Sequence, residues 1–166
     1  MLYEEQQMAG RIDARLEELG IILPQAQKPK VAKILPYTIS GNLLFVSGQI
    51  PQWEGEVRYQ GKVGKNLTLE EGREAARLST LNVLAHTRNA LAGDLDRINR
   101  FLKVNGFVSV TEDFDEVAAV VNGASELLQE IFGDAGTHAR IAIGAANMPI
   151  GVAVEIEAII EINSDS

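Results

Sequence analysis

Apolar residues recur along this chain with two different periods, which predicts a protein containing both helices and strands. A first helix is predicted from Tyr3 to Leu19, ending at Gly20. Its apolar residues recur every three or four positions and are Met8, Ile12, Leu16 and Leu19. The segment 24–30 contains two prolines and is predicted to be a connection without regular structure.

Two longer helices are predicted in the middle of the chain. Thr68 and Glu71 have the spacing of a capping box, and the helix that they start should end near Gly93. Its inward-facing residues are expected to be Leu78, Leu81, Leu84 and Leu91. Asp113 and Glu116 repeat the capping pattern before a second helix that should end at Gly133. The apolar stripe of this helix is Val117, Val120, Val121, Ala124, Leu127, Leu128 and Ile131.

Strands are predicted on both sides of these helices. The segments 31–40 and 42–51 are rich in β-branched and apolar residues, and Gly41–Asn42 between them favours a hairpin. Residues 51–65 are predicted to form a loop with one short strand, and residues 100–110 a further strand. The last two strands are "ARIAIGA" (139–145) and "GVAVEIEAIIEI" (151–162). In the final strand, apolar residues alternate with Glu155, Glu157 and Glu161, the period of a strand with one buried face.

The predicted order is helix, two strands, helix, strand, helix, two strands. Strands with the two long helices on one face indicate an α+β fold with a mixed sheet. Such an arrangement leaves the other face of the sheet uncovered. Because a large apolar face is unfavourable in water, we expect a closed homo-oligomer.

Composition and charge narrow the class of protein. A length of 166 residues suits a single domain, 1–166, with a full hydrophobic core. The net charge of -8 and the absence of a basic stripe disfavour nucleic-acid binding. The sequence contains no run of about 18 apolar residues, the length that a membrane span needs. The polar N-terminus does not resemble a secretory signal. With no cysteine in the sequence, we expect a cytoplasmic protein.

Several short motifs match known functional sites only weakly. "GKVGKN" (61–66) has the wrong glycine spacing for a phosphate-binding loop, and Asn66 replaces the hydroxyl residue that would bind magnesium. His86, expected on a helix flank, and His138, expected at a strand edge or on the surface with lining of a site as the alternative, lack metal-ligand spacing. Trp53 is expected to pack in the core or an interface, with stacking on a ligand as the alternative. We therefore expect no metal and no cofactor.

Arg140 and Glu155 are the charges that most need explanation, because each lies in an apolar strand. A charge in such a place is costly to desolvate unless it is paired. They could form a structural ion pair across adjacent strands. Alternatively, Arg140 could hold a small carboxylate through two parallel hydrogen bonds, while Glu155 positions or activates a water.

Two separated segments resemble the RidA/YjgF family, the reactive intermediate deaminases, also known as endoribonuclease L-PSP. These segments are "GNLLFVSGQIP" (41–51) and "HARIAIGAANMPIGVAVEIEAI" (138–159). The resemblance extends over residues 31–162 and includes the interval between the arginine and the glutamate. An additional N-terminal helix, within residues 1–20, makes the chain similar to a longer and poorly characterised branch of that family.

The resemblance implies a chorismate-mutase-like α+β fold in a homotrimer, with sites in clefts between neighbouring chains. It implies that Arg140 binds the carboxylate of a 2-imino or 2-enamino acid and that Glu155 holds the attacking water. Products would be a 2-oxo acid and ammonia. The other residues that the resemblance places at the substrate are Tyr37, Ser47, Gly48, Asn122 and Ala142. Ala142 stands where many deaminases of the family have a cysteine.

Two other functions stay open. A non-catalytic module could bind a small carboxylate metabolite in the same intersubunit cleft, using Arg140 but not depending on Glu155. A ribonuclease activity follows only from the family's older name, and the acidic composition disfavours it.

Overall fold

The computed structural model describes residues 10–164. Within this range the first helix, α1, spans Arg11–Glu18 and buries Ile12 and Leu16. Gly20 follows with a φ of 66°, a conformation that favours glycine and ends the helix as predicted. The beginning of the predicted helix, including Met8, lies outside the described residues.

Five strands form one mixed sheet. They are β1 (Tyr37–Ser40), β2 (Leu43–Gln49), β5 (Ile98–Ser109), β6 (Ala139–Ala145) and β7 (Val154–Ile162), with β3 (Gln52–Trp53) and β4 (Glu56–Val57) as a separate small hairpin. The order across the sheet is β1-β2-β7-β5-β6. Only β5 and β6 run parallel, and the other neighbours are antiparallel. This confirms the mixed sheet and the predicted order of elements.

The predicted hairpin around Gly41–Asn42 is present but shorter than expected. β1 begins at Tyr37, so the predicted strand at residues 31–36 was wrong. Pro36 cannot donate to a neighbouring strand, and its carbonyl instead accepts a hydrogen bond from Ser47 N at 2.9 Å. The apolar residues before it, Val31, Ile34 and Leu35, are exposed rather than packed into the sheet.

Helix α2 (Leu69–Ala90) starts with the predicted capping box. Glu71 N donates to Thr68 Oγ1 at 3.2 Å, and Thr68 N donates to the Glu71 carboxylate at 2.7 Å. Leu84 and Leu91 are buried as expected, whereas Leu78 and Leu81 are only half-buried. They lie towards the β3–β4 hairpin, which is too small to cover them. His86 is buried within α2 rather than on a flank.

Helix α3 (Val117–Phe132) ends at Gly133 as predicted, but it does not begin as predicted. Its N-cap residue is Glu116, which makes no side-chain capping bond, so the Asp113–Glu116 box was wrong. Asp113 lies instead in a turn closed by a hydrogen bond from Phe114 N to Thr111 O. The stripe is buried as expected except for its first residue, Val117, which is half-buried.

The two long helices pack on one face of the sheet, as the sequence predicted. Their contact is close: a Cβ added to Gly123 of α3 would lie 2.2 Å from the carbonyl oxygen of Arg73 in α2. Beneath them lie the alternate apolar residues of the strands, including Val104, Ile156 and Ala158. No helix among residues 10–164 is long and apolar enough to cross a membrane.

The opposite face of the sheet, here called the open face, is not covered within the chain. It carries Phe45, Ile141 and Ile143, which are 38%, 45% and 43% exposed. It also carries the carboxylates of Glu155, Glu157 and Glu161, each on the side of β7 opposite to the buried residues. The sequence prediction of an uncovered face is therefore confirmed for the single chain.

Candidate functional site

Arg140 extends from β6 towards helix α3, on the helix-covered face of the sheet. Its backbone is paired with Val104, which is fully buried under the helices. The Nη1 atom donates to Asn122 Oδ1 at 2.7 Å and to Ser125 Oγ at 3.2 Å. Nη2 donates only a long bond to Ala118 O, at 3.4 Å. One end of the guanidinium is thus fixed by the chain itself.

The remaining donors of Arg140 are available for a ligand. Among the described residues, Nε–H has no hydrogen-bond partner, and Nη2 has a second N–H. These two atoms form one edge of the planar guanidinium, the geometry that binds a carboxylate with two parallel bonds. The side chain is half-buried, so this edge can be reached from solvent. Asn122, which the resemblance places at the substrate, holds the arginine in place within the chain.

His138 and Ser125 belong to the same cluster, although the sequence did not place them there. His138 Nε2 lies 2.9 Å from Ser125 Oγ, and its Nδ1 lies 2.6 Å from the carbonyl oxygen of Gly136. Burial lowers the pKa of His138, the Gly136 bond opposes this, and the charge of Arg140 lowers it further. The available signal was spacing: Ser125 follows Asn122 by three residues on a helix, and His138 precedes Arg140 by two in an extended segment.

Glu155 lies on the open face, against a bulge in β2. The register between β2 and β7 shifts between Val46 and Gln49, so Ser47 and Gly48 together face a single residue of β7. A Cβ added to Gly48 would lie 2.2 Å from Glu155 Oε1. The carboxylate therefore rests directly on the Gly48 backbone, and only glycine leaves it that space.

Glu155 has no hydrogen-bond or ion-pair partner within residues 10–164, although it is half-buried. Burial raises its pKa above the ordinary value, and the negative charge of Glu157 raises it further. A half-buried, unpaired carboxylate with a raised pKa is typical of acid–base groups at functional sites. Its neighbour Glu157 is different, since it accepts a hydrogen bond from Asn105 Nδ2 at 2.7 Å.

The other expected site residues are divided between these two places. Ala142 lies on β6, two residues after Arg140 and on the same face. Ser47 lies beside Gly48 in the bulge, where its hydroxyl donates to Leu35 O at 2.6 Å. Tyr37 begins β1, is paired with Val46, and packs against the core on the helix-covered face. It does not share the open face with Glu155.

Arg140 and Glu155 do not form an ion pair across adjacent strands, because β5 separates β6 from β7. The two strand spacings amount to roughly 10 Å, and the register adds a further offset along the strands. The side chains also leave opposite faces of the sheet. One chain therefore carries two half-sites: the Arg140 half-site (Arg140, Asn122, Ser125, His138, Ala142) and the Glu155 half-site (Glu155, Gly48, Ser47).

Trp53 lies elsewhere, in a shallow groove of about 230 Å³ between the β3–β4 hairpin and α2. The groove also contains Tyr59, Leu78 and Leu81, the two half-buried leucines of α2. Trp53 is itself half-buried against this helix. The tryptophan thus packs at the surface of the domain, away from both half-sites.

Comparisons with known proteins agree with the architecture. The family model described as "YjgF/chorismate_mutase-like, putative endoribonuclease" matches residues 13–161. Protein TCP17 of Trypanosoma cruzi is 43% identical over 157 residues, which cover 94% of this chain and 97% of the relative. Matching over nearly its whole length, this relative fits a longer branch of the family.

Two solved structures are informative. Atu1372 of Agrobacterium tumefaciens, of unknown function, is 45% identical with a TM-score of 0.85, covering 92% of each chain. Escherichia coli TdcF, solved with bound serine, is 25% identical with a TM-score of 0.57, covering 86% of this chain and 94% of TdcF. On these matches and the sheet order described above, the chain belongs to the YjgF/chorismate-mutase-like family, also called RidA/YjgF.

Proposed function

We propose that this protein hydrolyses small 2-imino or 2-enamino acids to 2-oxo acids and ammonia. The observation that carries the proposal is Glu155, a half-buried carboxylate without a partner in the described chain and with a raised pKa. Family membership supports a role in small-molecule deamination or binding. TdcF, which shares the fold, was solved with serine, a ligand of the expected size that bears a carboxylate.

Arg140 is the proposed carboxylate-binding residue. Its Nη1 end is held by Asn122 and Ser125, so the free Nε–Nη2 edge has a defined direction. A guanidinium keeps its charge at any working pH and binds a planar carboxylate with two bonds. This would orient the imine carbon, which is already electrophilic, without a metal or cofactor.

Glu155 is the proposed base for the attacking water. The water oxygen forms a bond to the imine carbon while Glu155 accepts one of its protons. For the iminium form, transfer of that proton to nitrogen converts the amine into a leaving group. The C–N bond then breaks as the C=O bond forms, and Glu155 takes up the hydroxyl proton. One water is consumed, and one ammonia and one 2-oxo acid are released. Positioning and electrostatic stabilisation are sufficient for such a step.

The two half-sites require a second chain if they act on one substrate. Within one chain they lie on opposite faces of the sheet, whereas a neighbour could bring its Glu155 half-site to the Arg140 edge. The exposed residues Phe45, Ile141 and Ile143 on the open face supply apolar surface for such an assembly. We therefore include in the proposal a homotrimer with intersubunit clefts, acting in the cytoplasm.

The test is ammonia release from enzymatically generated 2-aminoacrylate. Arg140→Ala should abolish turnover and binding of the 2-oxo acid pyruvate, while the mass in light scattering stays that of a trimer. Arg140→Lys is the matched control, because it keeps the positive charge but loses the planar guanidinium that donates two parallel hydrogen bonds. It should retain part of the pyruvate binding. Unchanged turnover in Arg140→Ala would remove this residue from the mechanism.

Glu155→Gln separates the enzyme from the alternative of a carboxylate-binding module. A deaminase should lose turnover but keep its affinity for pyruvate, because the amide cannot accept the water proton. A parent protein that binds pyruvate through Arg140 yet releases no ammonia above the uncatalysed rate would favour the binding module. RNA cleavage by the parent protein that Arg140→Ala removes would favour the third function.

A further inference from the structure

Four groups form a continuous line of hydrogen bonds that ends at Arg140. The line runs from Gly136 O to His138 Nδ1 (2.6 Å), from His138 Nε2 to Ser125 Oγ (2.9 Å), and from Ser125 Oγ to Arg140 Nη1 (3.2 Å). His138 and Ser125 are both half-buried. Three elements contribute: α3, the turn before β6, and β6 itself.

The direction of every bond in this line follows from its two ends. The carbonyl oxygen of Gly136 can only accept, so His138 Nδ1 carries the proton and donates. Nε2 of a neutral imidazole then accepts, and the Ser125 hydroxyl donates to it. The Ser125 oxygen is left with its lone pairs, one of which accepts from Arg140 Nη1–H. Burial favours this neutral imidazole, because it lowers the pKa of His138.

The line is anchored to rigid structure. A Cβ on Gly136 would lie 2.1 Å from the carbonyl oxygen of Leu128, so the turn 133–136 packs directly on the backbone of α3. Ser125 and Asn122 are three residues apart and so share one side of α3. Together they occupy both N–H groups of Arg140 Nη1, which fixes the plane of the guanidinium.

We propose that Ser125 and His138 are positioning residues, which hold Arg140 so that its Nε–Nη2 edge is presented to the carboxylate of the ligand. This rests on the proposed role of Arg140 in binding that carboxylate. His138 acts through Ser125: its ring nitrogen accepts a hydrogen bond from the hydroxyl and thereby turns the oxygen lone pair towards the arginine. Neither residue needs to touch the ligand.

The experiment measures pyruvate affinity by calorimetry and the KM and kcat of ammonia release, in the full chain at pH 8. Ser125→Ala and His138→Phe should each weaken pyruvate binding and raise KM by about 3- to 10-fold, the size expected for one hydrogen bond. The kcat should stay within about two-fold, because the reacting atoms are untouched. Ser125→Thr keeps a hydroxyl and should restore affinity to within about two-fold of the parent.

The double variant gives the sharper result. Because His138 acts only through Ser125, Ser125→Ala with His138→Phe should be no weaker than either single variant. If the losses of pyruvate affinity in the two single variants multiply in the double variant, the residues have independent roles and the proposal is wrong. Unchanged affinity in both single variants would also overturn it. His138→Gln, which keeps an acceptor, covers the case in which His138→Phe does not fold.

Arg140→Ala distinguishes failure of this proposal from failure of the proposed function. If it abolishes pyruvate binding while the Ser125 and His138 variants bind normally, the carboxylate role stands and the positioning role falls. If Arg140→Ala binds pyruvate with the affinity of the parent, the carboxylate role and the positioning role are both wrong.

Discussion

The Arg140 half-site and the Glu155 half-site differ in how far the chain satisfies its own charge. Arg140 has three acceptors from α3, and a fourth group, His138, holds one of them. Glu155 is half-buried with a raised pKa and no partner in residues 10–164. The comparison teaches that the chain fixes one charge with its own acceptors and leaves the other unpaired. Each is what its proposed role needs.

Mixing two inactive variants gives the largest expected effect. Arg140→Ala keeps Glu155, and Glu155→Gln keeps Arg140. If each cleft combines Arg140 of one chain with Glu155 of the next, random mixing should restore activity from near zero to about one quarter of the parent. Three quarters of the trimers would be mixed, each with one intact cleft in three. Ammonia release by co-expressed, differently tagged chains measures this.

Homotrimers of each variant, purified separately and assayed together without exchange, are the control and should stay inactive. Restored activity well below that fraction in verified mixed trimers would mean that the two half-sites do not share a cleft.

Adding a methyl group at Gly48 should disturb only the Glu155 half-site. The new Cβ would lie 2.2 Å from Glu155 Oε1 and must displace the carboxylate. Since misplacement by about 1 Å can lower a rate by about 100-fold, Gly48→Ala should lower kcat by roughly that factor. Pyruvate affinity, which depends on Arg140, should change little. Ser40→Ala, at the exposed end of β1, is the control away from Glu155. A parent-like kcat in Gly48→Ala would separate Glu155 from the chemistry.

The chain's local elements and the two charges of its candidate site were largely predictable from the sequence, whereas the arrangement of those charges was not. The alternation in β7 and the Thr68–Glu71 box were correct because both depend on neighbours in sequence. The Asp113–Glu116 pair has the same spacing but forms no capping box, because Asp113 lies in the turn between Thr111 and Phe114. Spacing alone does not show which way the backbone enters a helix.

Sheet order was the main missing information for the site. Arg140 and Glu155 lie on strands that follow each other in the sequence, which suggested a pair across neighbours. The structure inserts β5 between them, because β6 joins the sheet parallel to β5 at the edge. Arg140 lies on the helix-covered face because it is paired with the buried Val104. Glu155 lies on the open face because it alternates with the buried residues of β7. Only the fold reveals that two half-sites exist.

Removing Asn122 should weaken the Arg140 half-site and leave the other intact. Asn122 Oδ1 accepts the shortest bond from Arg140, at 2.7 Å, so its loss frees one end of the guanidinium. We expect Asn122→Ala to raise KM by about 10-fold, the lower end of the effect of one hydrogen bond to a charged group. The kcat should be nearly unchanged, and Asn122→Gln, which keeps an amide oxygen as acceptor, should recover part of the affinity. A fall in kcat with constant KM would place Asn122 at the reacting atoms instead.

The smallest expected effect concerns the pH dependence of Glu155. Burial and the charge of Glu157 raise the pKa of Glu155, so the carboxylate takes up a proton at a higher pH than an ordinary glutamate. Because the base must be ionised, activity should be lost as the pH falls through this raised pKa, and the acid limb of kcat lies above 4.5. Glu157→Gln removes the repulsion but not the burial, so the limb should move to lower pH while staying above that of an ordinary glutamate. Glu161→Gln is the matched control on the same face, four residues further along β7 than Glu157, where the carboxylate accepts from Asn99 and pairs with Arg100. A limb that moves equally in both variants would show a general charge effect and assign the titration to some group other than Glu155.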